Sequence, residues 1–260
     1  MALTPLQRRV LRVIARNRSP DSHVAGGAAL ARISGRSSED IDIFHDAEDA
    51  VLRAAEIDAA ALREAGLAAE VTVRSRSFVD GVVSTSALEM TRIQWLLDSA
   101  VRFFPAIEDK VFGYRLHDLD LAVNKVLAMA GRREPRDYYD VIKLHQAGEK
   151  LAMLAWAAPA KDPGFTPELI VDEINRHSNY AASELQAEFA DAEPKAMKKI
   201  LLEATHEARD LFARLPLDQI GYLYLDRKGR AVLPDPKGVA GRRLVLHGAV
   251  LRGAWPTLAG

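Results

Sequence analysis

Residues 23–44 read HVAGGAALARISGRSSEDIDIF, the one stretch where a glycine turn, hydroxyls and alternating carboxylates stand together. Val24 and Ala25 read as the end of a short strand. Gly26-Gly27 then reads as a turn in which no Cβ keeps a phosphate from the backbone N–H groups. A helix is expected from Ala28, with its free N–H groups and positive dipole end facing the same phosphates. Asp40-Ile41-Asp42-Ile43-Phe44 alternates with period two, which puts Asp40 and Asp42 on one strand face and sends Ile41 and Ile43 into the core. Two carboxylates on one face suit Mg2+ (or Mn2+), because magnesium takes one or two carboxylates and completes its shell with water and substrate phosphates. Arg36 and Ser38 stand just before that strand, where a guanidinium and a hydroxyl meet phosphate oxygens. Gly26, Gly27, Arg36 and Ser38 are therefore the candidate phosphate-binding residues. Taken singly, Gly-Gly marks turns of every kind and D-x-D occurs on many solvated strand edges. It is their combination that points to metal-assisted transfer at phosphate.

A turn, a short helix and a D-x-D strand in this order resemble the polymerase-β-like nucleotidyltransferases. The fuller string GGAALAR…GRSSEDIDIF resembles one branch of them, the AbiEii/AbiGii toxin family, which includes the MenT toxins. In that family a Ser or Thr commonly stands two residues before the first aspartate, the position of Ser38 here.

A second cluster lies downstream. Lys125 sits among Leu121, Val126, Leu127 and Met129 on a mostly apolar helix, where a lysine must snorkel or find an anion such as a triphosphate. Arg136-Asp137 opens another helix, and Asp140 follows on the same face. Read alone, Asp137 compensates the helix dipole. A lysine followed by Arg-Asp-x-x-Asp again resembles the family pattern, in which a lysine and a following aspartate complete the active site with the Ser-x-Asp pair. The resemblance spans about residues 20–148. It implies a toxin of a toxin–antitoxin pair with a cognate antitoxin, and an NTP whose triphosphate is bridged by Mg2+ on Asp40 and Asp42. Lys125 would pair with phosphate charge, and Asp137 or Asp140 would act as general base on an acceptor hydroxyl or orient Lys125. The implied acceptor is the 3′ end of tRNA, so that protein synthesis stops.

At 260 residues and 48% hydrophobic, the chain can bury a full core, as one domain with an extension or as two small ones. The absence of cysteine excludes disulfides, thiolate metal sites and a cysteine nucleophile. No charged-then-apolar leader or long apolar run is present, so a cytoplasmic location is expected. A net charge of −1 does not announce a nucleic-acid binder. From Pro216 onward, however, Arg227, Lys228, Arg230, Lys237, Arg242, Arg243 and Arg252 outnumber Asp218, Asp226 and Asp235. That segment either touches a phosphate backbone or is a solvated surface. His177, His206 and His247 show no metal-ligand spacing. Two other functions fit the same chemistry: a small-molecule nucleotidyltransferase acting on a cationic drug, and a non-catalytic nucleotide-binding module, against which the presence of Asp42 speaks.

The expected fold is α/β (α+β): a polymerase-β-like domain over 1–148 with a mixed, mainly antiparallel sheet, then a helical region over 149–260 ending in a small β unit. Thr4 and Pro5 open a first helix with Leu6, Val10, Val13 and Ile14 on its apolar face. Ala47–Gly66 reads as a helix and Val71–Phe78 as a strand; Asp80-Gly81 reads as a hairpin turn, with a return over Val82–Ser86. Leu88–Asp98 is a further strand, Asp98 being either a third metal carboxylate or a turn residue, and Gln94 an inward position without charge. A short strand over Phe112–His117 leads to Asp118 as an N-cap. Glu149–Ala158, Thr166–Arg176 and Lys195–Leu215 read as helices. Tyr222–Leu233 reads as a hairpin turning at Lys228-Gly229, and Arg243–Leu251 as a last strand.

Overall fold

Helix α1 (Pro5–Ile14) starts where Thr4 predicts: its hydroxyl accepts the Gln7 N–H at 3.1 Å and the Gln7 side chain accepts the Thr4 N–H at 3.0 Å, a reciprocal capping box. The buried stripe is Leu6, Gln7, Val10, Leu11 and Ile14. Gln7 lies inside it, which rotates the buried face toward Leu11 and leaves Val13 half-buried. The computed structural model describes residues 3–86 and 89–257.

By its contacts the chain divides into two units, Met1–Leu121 with Val250–Ala254, and Ala122–Ala249 with Trp255–Gly260. The first contains β1 (Ser22–Ala25), α2 (Gly26–Ser34), β2 (Asp40–His45), α3 (Glu48–Glu64), β3 (Ala68–Arg74), β4 (Phe78–Ser86), β5 (Glu89–Leu97), β6 (Val101–Arg102), β7 (Ile107–Asp109) and β8 (Gly113–Arg115). Seven strands form one sheet in the order β3-β4-β5-β2-β1-β8-β7. The pairs β2·β5 and β1·β8 are parallel and the others antiparallel, the mixed, mainly antiparallel sheet that the sequence predicts. Its core includes Val24, Ile41, Ile43, Val51, Leu62, Ile93 and Trp95, all at or near zero exposure. Asp58 of α3 is buried among them, and it is tolerated because Asn17 Nδ2 (2.8 Å), Arg18 Nη2 (2.6 Å) and Trp95 Nε1 (2.8 Å) all donate to its carboxylate.

One expected turn is displaced. Asp80 and Gly81 lie inside β4, where Gly81 pairs with Val71 on one side and Ile93 on the other. A Cβ there would stand 2.7 Å from the Glu70 carbonyl oxygen, so the glycine serves close strand approach rather than a turn. The chain reverses instead at Ser75–Ser77, where the Ser75 N–H donates to the Phe78 carbonyl (2.8 Å) and the Ser75 hydroxyl accepts the Phe78 N–H (3.0 Å). The expected strand over Leu88–Asp98 is β5, Leu88 itself lying outside the described residues.

The division between units falls within α4 (Asp118–Gly131). The second unit continues with α5 (Pro135–Ala147), α6 (Leu151–Ala157), α7 (Pro167–His177), α8 (Ala182–Glu188), α9 (Pro194–Phe212), β9 (Tyr222–Leu225), β10 (Ala231–Val232), α10 (Pro236–Ala240) and β11 (Val245–Gly248). The boundary expected at Gly148 lies inside this unit. Gly148, at φ 109°, ends α5 in the left-handed region. The hairpin at Lys228-Gly229 forms as expected, as β9 and β10, and β11 joins them on the other edge of β9. The last strand is two strands: β11 and then β12 (Val250–Leu251), which pairs with β6 in the first unit. No helix among the described residues is long and apolar enough to cross a membrane.

Candidate active site

Helix α2 begins at Gly26 itself, two residues before the expected start, directly off the end of β1. Its N-cap, Ala25, contributes no side-chain cap, which leaves the first turn's N–H groups to other partners. Gly26 has φ +62°, and a Cβ on it would stand 1.9 Å from Asp42 Oδ2. A Cβ on Gly27 would stand 2.7 Å from Ser38 Oγ and 3.0 Å from Arg36 Nη2. The two glycines thus make room for the carboxylate, hydroxyl and guanidinium that the sequence singles out. Register explains the meeting: β1 and β2 run antiparallel with Ala25 opposite Asp42, so the turn after Ala25 comes back against that carboxylate.

The loop between α2 and β2 is fixed from outside. Ser38 Oγ donates to the Asp40 carbonyl (3.0 Å), while the Ser38 carbonyl accepts Gln7 Nε2 (2.7 Å) from α1. Gln7 also reaches Thr91 Oγ1 (3.3 Å), and that hydroxyl donates to the Glu39 carbonyl (3.0 Å). Gln7 and Thr91 are supporting residues that sequence reading did not find. The visible signal was a glutamine on the apolar stripe of α1.

Asp40 and Asp42 stand half-buried on one face of β2, and Ile41 and Ile43 are fully buried on the other. Across the parallel pair, Asp40 faces Arg92 and Asp42 faces Gln94; one strand further, Gln94 faces Asp80. Asp80 accepts from Arg92 Nε (2.7 Å), Gln94 Nε2 (3.1 Å) and Thr72 Oγ1 (3.2 Å). Burial works against its charge, but the hydrogen bonds from Arg92 and Gln94 and the charge of Arg92 outweigh it and hold the carboxyl below the usual range. Arg92 is raised in turn, first by its bond to Asp80 and also by the charges of Asp40 and Asp42. The carboxylate beside the D-x-D pair in this sheet is therefore Asp80, hidden from sequence reading by its assignment to a turn. Asp98 follows β5 at the other end of the pairing: its N–H donates to the His45 carbonyl (2.9 Å), and its Oδ1 accepts the Ser99 N–H (2.8 Å), as a turn residue does.

Among the described residues no three His, Cys, Asp or Glu side chains gather closely enough to cage a cation. Two carboxylates beside a glycine-lined helix start nevertheless suit a cation that keeps waters and phosphate oxygens in its shell. The residues present fit magnesium in that sense.

In the second unit, Lys125 of α4 meets the two aspartates of α5. Its Nζ lies 2.7 Å from Asp137 Oδ1 and 3.2 Å from Asp140 Oδ2, and Arg132 Nε lies 2.8 Å from Asp137 Oδ2. Asp137 and Asp140 are completely buried. Burial penalises the Asp137 carboxylate, yet Lys125 and Arg132 together keep its carboxyl below the ordinary value. The anion that a lysine on an apolar helix requires is thus supplied by the chain, and these pairs explain why the later turns of α4 group with α5. In the basic C-terminal stretch, Arg230 pairs with Asp226 (2.7 Å) and Arg252 with Asp21 (3.1 Å).

The family described as "Nucleotidyl transferase AbiEii toxin, Type IV TA system" matches residues 13–214. Among solved structures the chain is similar to MenT4, a nucleotidyltransferase toxin from Mycobacterium tuberculosis, at 12% identity over 78% of this chain and 91% of that one, with a TM-score of 0.45. It is also similar to JHP933 from Helicobacter pylori, at 18% identity over 80% and 92%, with a TM-score of 0.48. No curated protein matches the chain.

Proposed function

The chain belongs to the AbiEii nucleotidyltransferase toxin family of type IV toxin–antitoxin systems, and from that premise we propose that it transfers a nucleotide from an NTP to RNA at the 3′ end of tRNA, so blocking translation. The observation that carries the site assignment is the pair of glycines whose missing Cβ atoms leave space for Asp42 Oδ2, Ser38 Oγ and Arg36 Nη2. A triphosphate is the ligand such a place suits, with backbone N–H groups at an uncapped helix start and a guanidinium and hydroxyl alongside. Asp40 and Asp42 would hold Mg2+ or Mn2+, which when bound polarises phosphate oxygens and offsets their charge. Gly26 and Gly27 admit the phosphate chain, Ser38 and Arg36 orient it, and Gln7 and Thr91 keep the Ser38 loop in position.

Lys125 is assigned to phosphate charge that develops as pyrophosphate leaves. Of the two roles open to Asp137, orienting Lys125 is favoured over general base. A carboxyl held low by two cations takes up a proton poorly at neutral pH. Asp140, 3.2 Å from the same Nζ, shares the orienting role. The family implies an antitoxin partner.

The test is incubation with each α-labelled NTP, magnesium and total tRNA. The expected result is label at the tRNA 3′ end, lost on chelation. Label on a small cationic hydroxyl compound instead would make the protein a small-molecule transferase. No incorporation from any NTP, with nucleotide still bound, would reduce it to a binding module.

A further inference from the structure

Helix α9 presents two unlike faces. Lys195, Lys198, Leu202, His206 and Arg209 recur at helical spacing along one of them and line a cavity of about 770 Å3, bounded further by α5, α7, α8 and the turn between α7 and α8. All of these elements lie in the second unit. Among the described residues no acid lines the cavity. The acids just before α9, Asp191 and Glu193, line a separate cavity of about 250 Å3 together with Lys143, where Asp191 accepts from Tyr139 Oη (2.9 Å). A chain close to neutral overall thus sorts its charge about this helix.

The cations of the larger cavity differ in how far they are engaged. Arg209 holds Asp172 at 2.6 Å, and His206 Nε2 lies 3.3 Å from Asp210. Lys195 and Lys198 are exposed and pair with no acid among the described residues. Leu202, between the two ends of the stripe, is 55% exposed. Tyr180 also lines the cavity, its ring held by Arg133 at 4.2 Å and by Tyr138 at 5.5 Å. Burial pushes the Tyr180 hydroxyl up to about 12, so it stays a neutral donor. The half-buried Asn175 and the exposed Asn179 line the same cavity, and among the described residues their side-chain amides bond to no protein group.

Unpaired cations, an exposed apolar side chain and open amides in one cavity suit a ligand that carries phosphates, a flat ring and hydrogen-bonding edges. A bare phosphate would leave Leu202 and the amides unused. From Lys195 to Arg209 the stripe runs about 21 Å at 1.5 Å per residue, a length that a short strand spans and a single nucleotide does not. We infer that this cavity binds unpaired RNA, with phosphates on Lys195 and Lys198 and a base against Leu202. The choice of RNA rests on the acceptor proposed above, whereas the single-stranded nucleotide chemistry rests on the cavity itself.

The test is fluorescence anisotropy of the full chain with an end-labelled single-stranded RNA about eight nucleotides long, with the same strand annealed to its complement, and with AMP as competitor. Saturable binding of the single strand is expected, stronger than that of the duplex and poorly displaced by AMP. Lys198→Glu and Lys199→Glu make the same charge change on neighbouring residues of α9, but only Lys198 lines the cavity, Lys199 facing Glu203 at 3.8 Å. Lys198→Glu is expected to weaken the strand about tenfold and to flatten its salt slope by about 0.7 or more, and Lys199→Glu to change affinity less than about twofold. Leu202→Asp should weaken it as Lys198→Glu does. These side chains are exposed, so the variants keep the fold. Equal weakening in Lys198→Glu and Lys199→Glu, no weakening in either, duplex binding as tight as the single strand, or full displacement by AMP each overturns the inference. Transfer to tRNA with an unchanged KM in Lys198→Glu overturns it while the proposed transfer stands. Strand binding lost in Lys198→Glu, without transfer from any NTP, upholds the cavity and sinks the transfer.

Discussion

Two pairs of aspartates, one in each unit, are put to opposite physical uses. Asp40 and Asp42 alternate on a strand, half-buried, and Gly26 leaves room for the Asp42 carboxylate. Asp137 and Asp140 lie one turn apart on a helix, fully buried, with a lysine clamped between them. The strand pair presents charge where a ligand can reach it. The helix pair neutralises charge where water is excluded, and needs its partner for the fold to tolerate it. Spacing alone, D-x-D against D-x-x-D, does not reveal this; the burial of the element does.

The largest effect expected from this contrast is on the strand pair. Asp40→Ala or Asp42→Ala should leave no detectable nucleotide transfer, yet change unfolding free energy by less than about 1 kcal/mol. Parallel incorporation assays and denaturant titrations check both halves. Comparable loss of stability in these variants would erase the distinction between the clusters.

The helix pair should show its effect in stability as well as in transfer. Lys125→Met leaves two buried carboxylates without their shared cation and should cost about 3–5 kcal/mol of stability. Adding Asp137→Asn and Asp140→Asn to it should recover much of that loss, because the buried charges that shared Lys125 go with them. A Lys125→Met protein as stable as the wild type would mean that the ion pairs are not held in solution.

Acid should strike the first unit through its buried imidazoles. Burial, assisted by the charge of Arg102, lowers His23 to about 4, and burial with the charge of Arg18 lowers His45 to about 3. A folded-state value below the unfolded one contributes stability that is full above about pH 6.5 and is lost as pH falls toward the folded value. Going from pH 7 to pH 5 should therefore cost about 2 kcal/mol per histidine. Denaturation at the two pH values measures it, and a flat profile would show that both rings already carry protons or are solvated.

The smallest effect separates Asp98 from Asp80. Asp98→Asn keeps an oxygen for the Ser99 N–H and should be silent in transfer and within about 0.5 kcal/mol in stability. Loss of transfer in Asp98→Asn would bring the metal site to the wrong end of β5 and undo the register argument.

The glycine turn, its helix and the D-x-D strand were legible because 3.6- and 2-residue periods and turn chemistry act within a few residues. Lys125 was legible as a misfit on an apolar helix, although one of its partners, Asp137, read first as dipole compensation. Gln7 and Thr91 were not legible, since their bonds to the Ser38 loop cross sequence separations of 31 and 52 residues. Asp80 was lost for a related reason. Asp-Gly carries the same local signal in a hairpin turn and in a crowded central strand, and only the neighbours decide between them.

The sequence by itself determined the class of chemistry, the carboxylate strand, the glycine turn before α2 and most helices, because each is written in local pattern. Tertiary structure decided strand order, and with it everything that depends on which strands are neighbours. It set Arg92, Gln94 and Asp80 beside Asp40 and Asp42, sent Asp98 to the far end, and put Ser22 next to His45 on the opposite face. The physical reason is that a strand's alternation fixes which face a side chain takes. What that face meets is set by pairings across long stretches of chain, which local pattern does not encode.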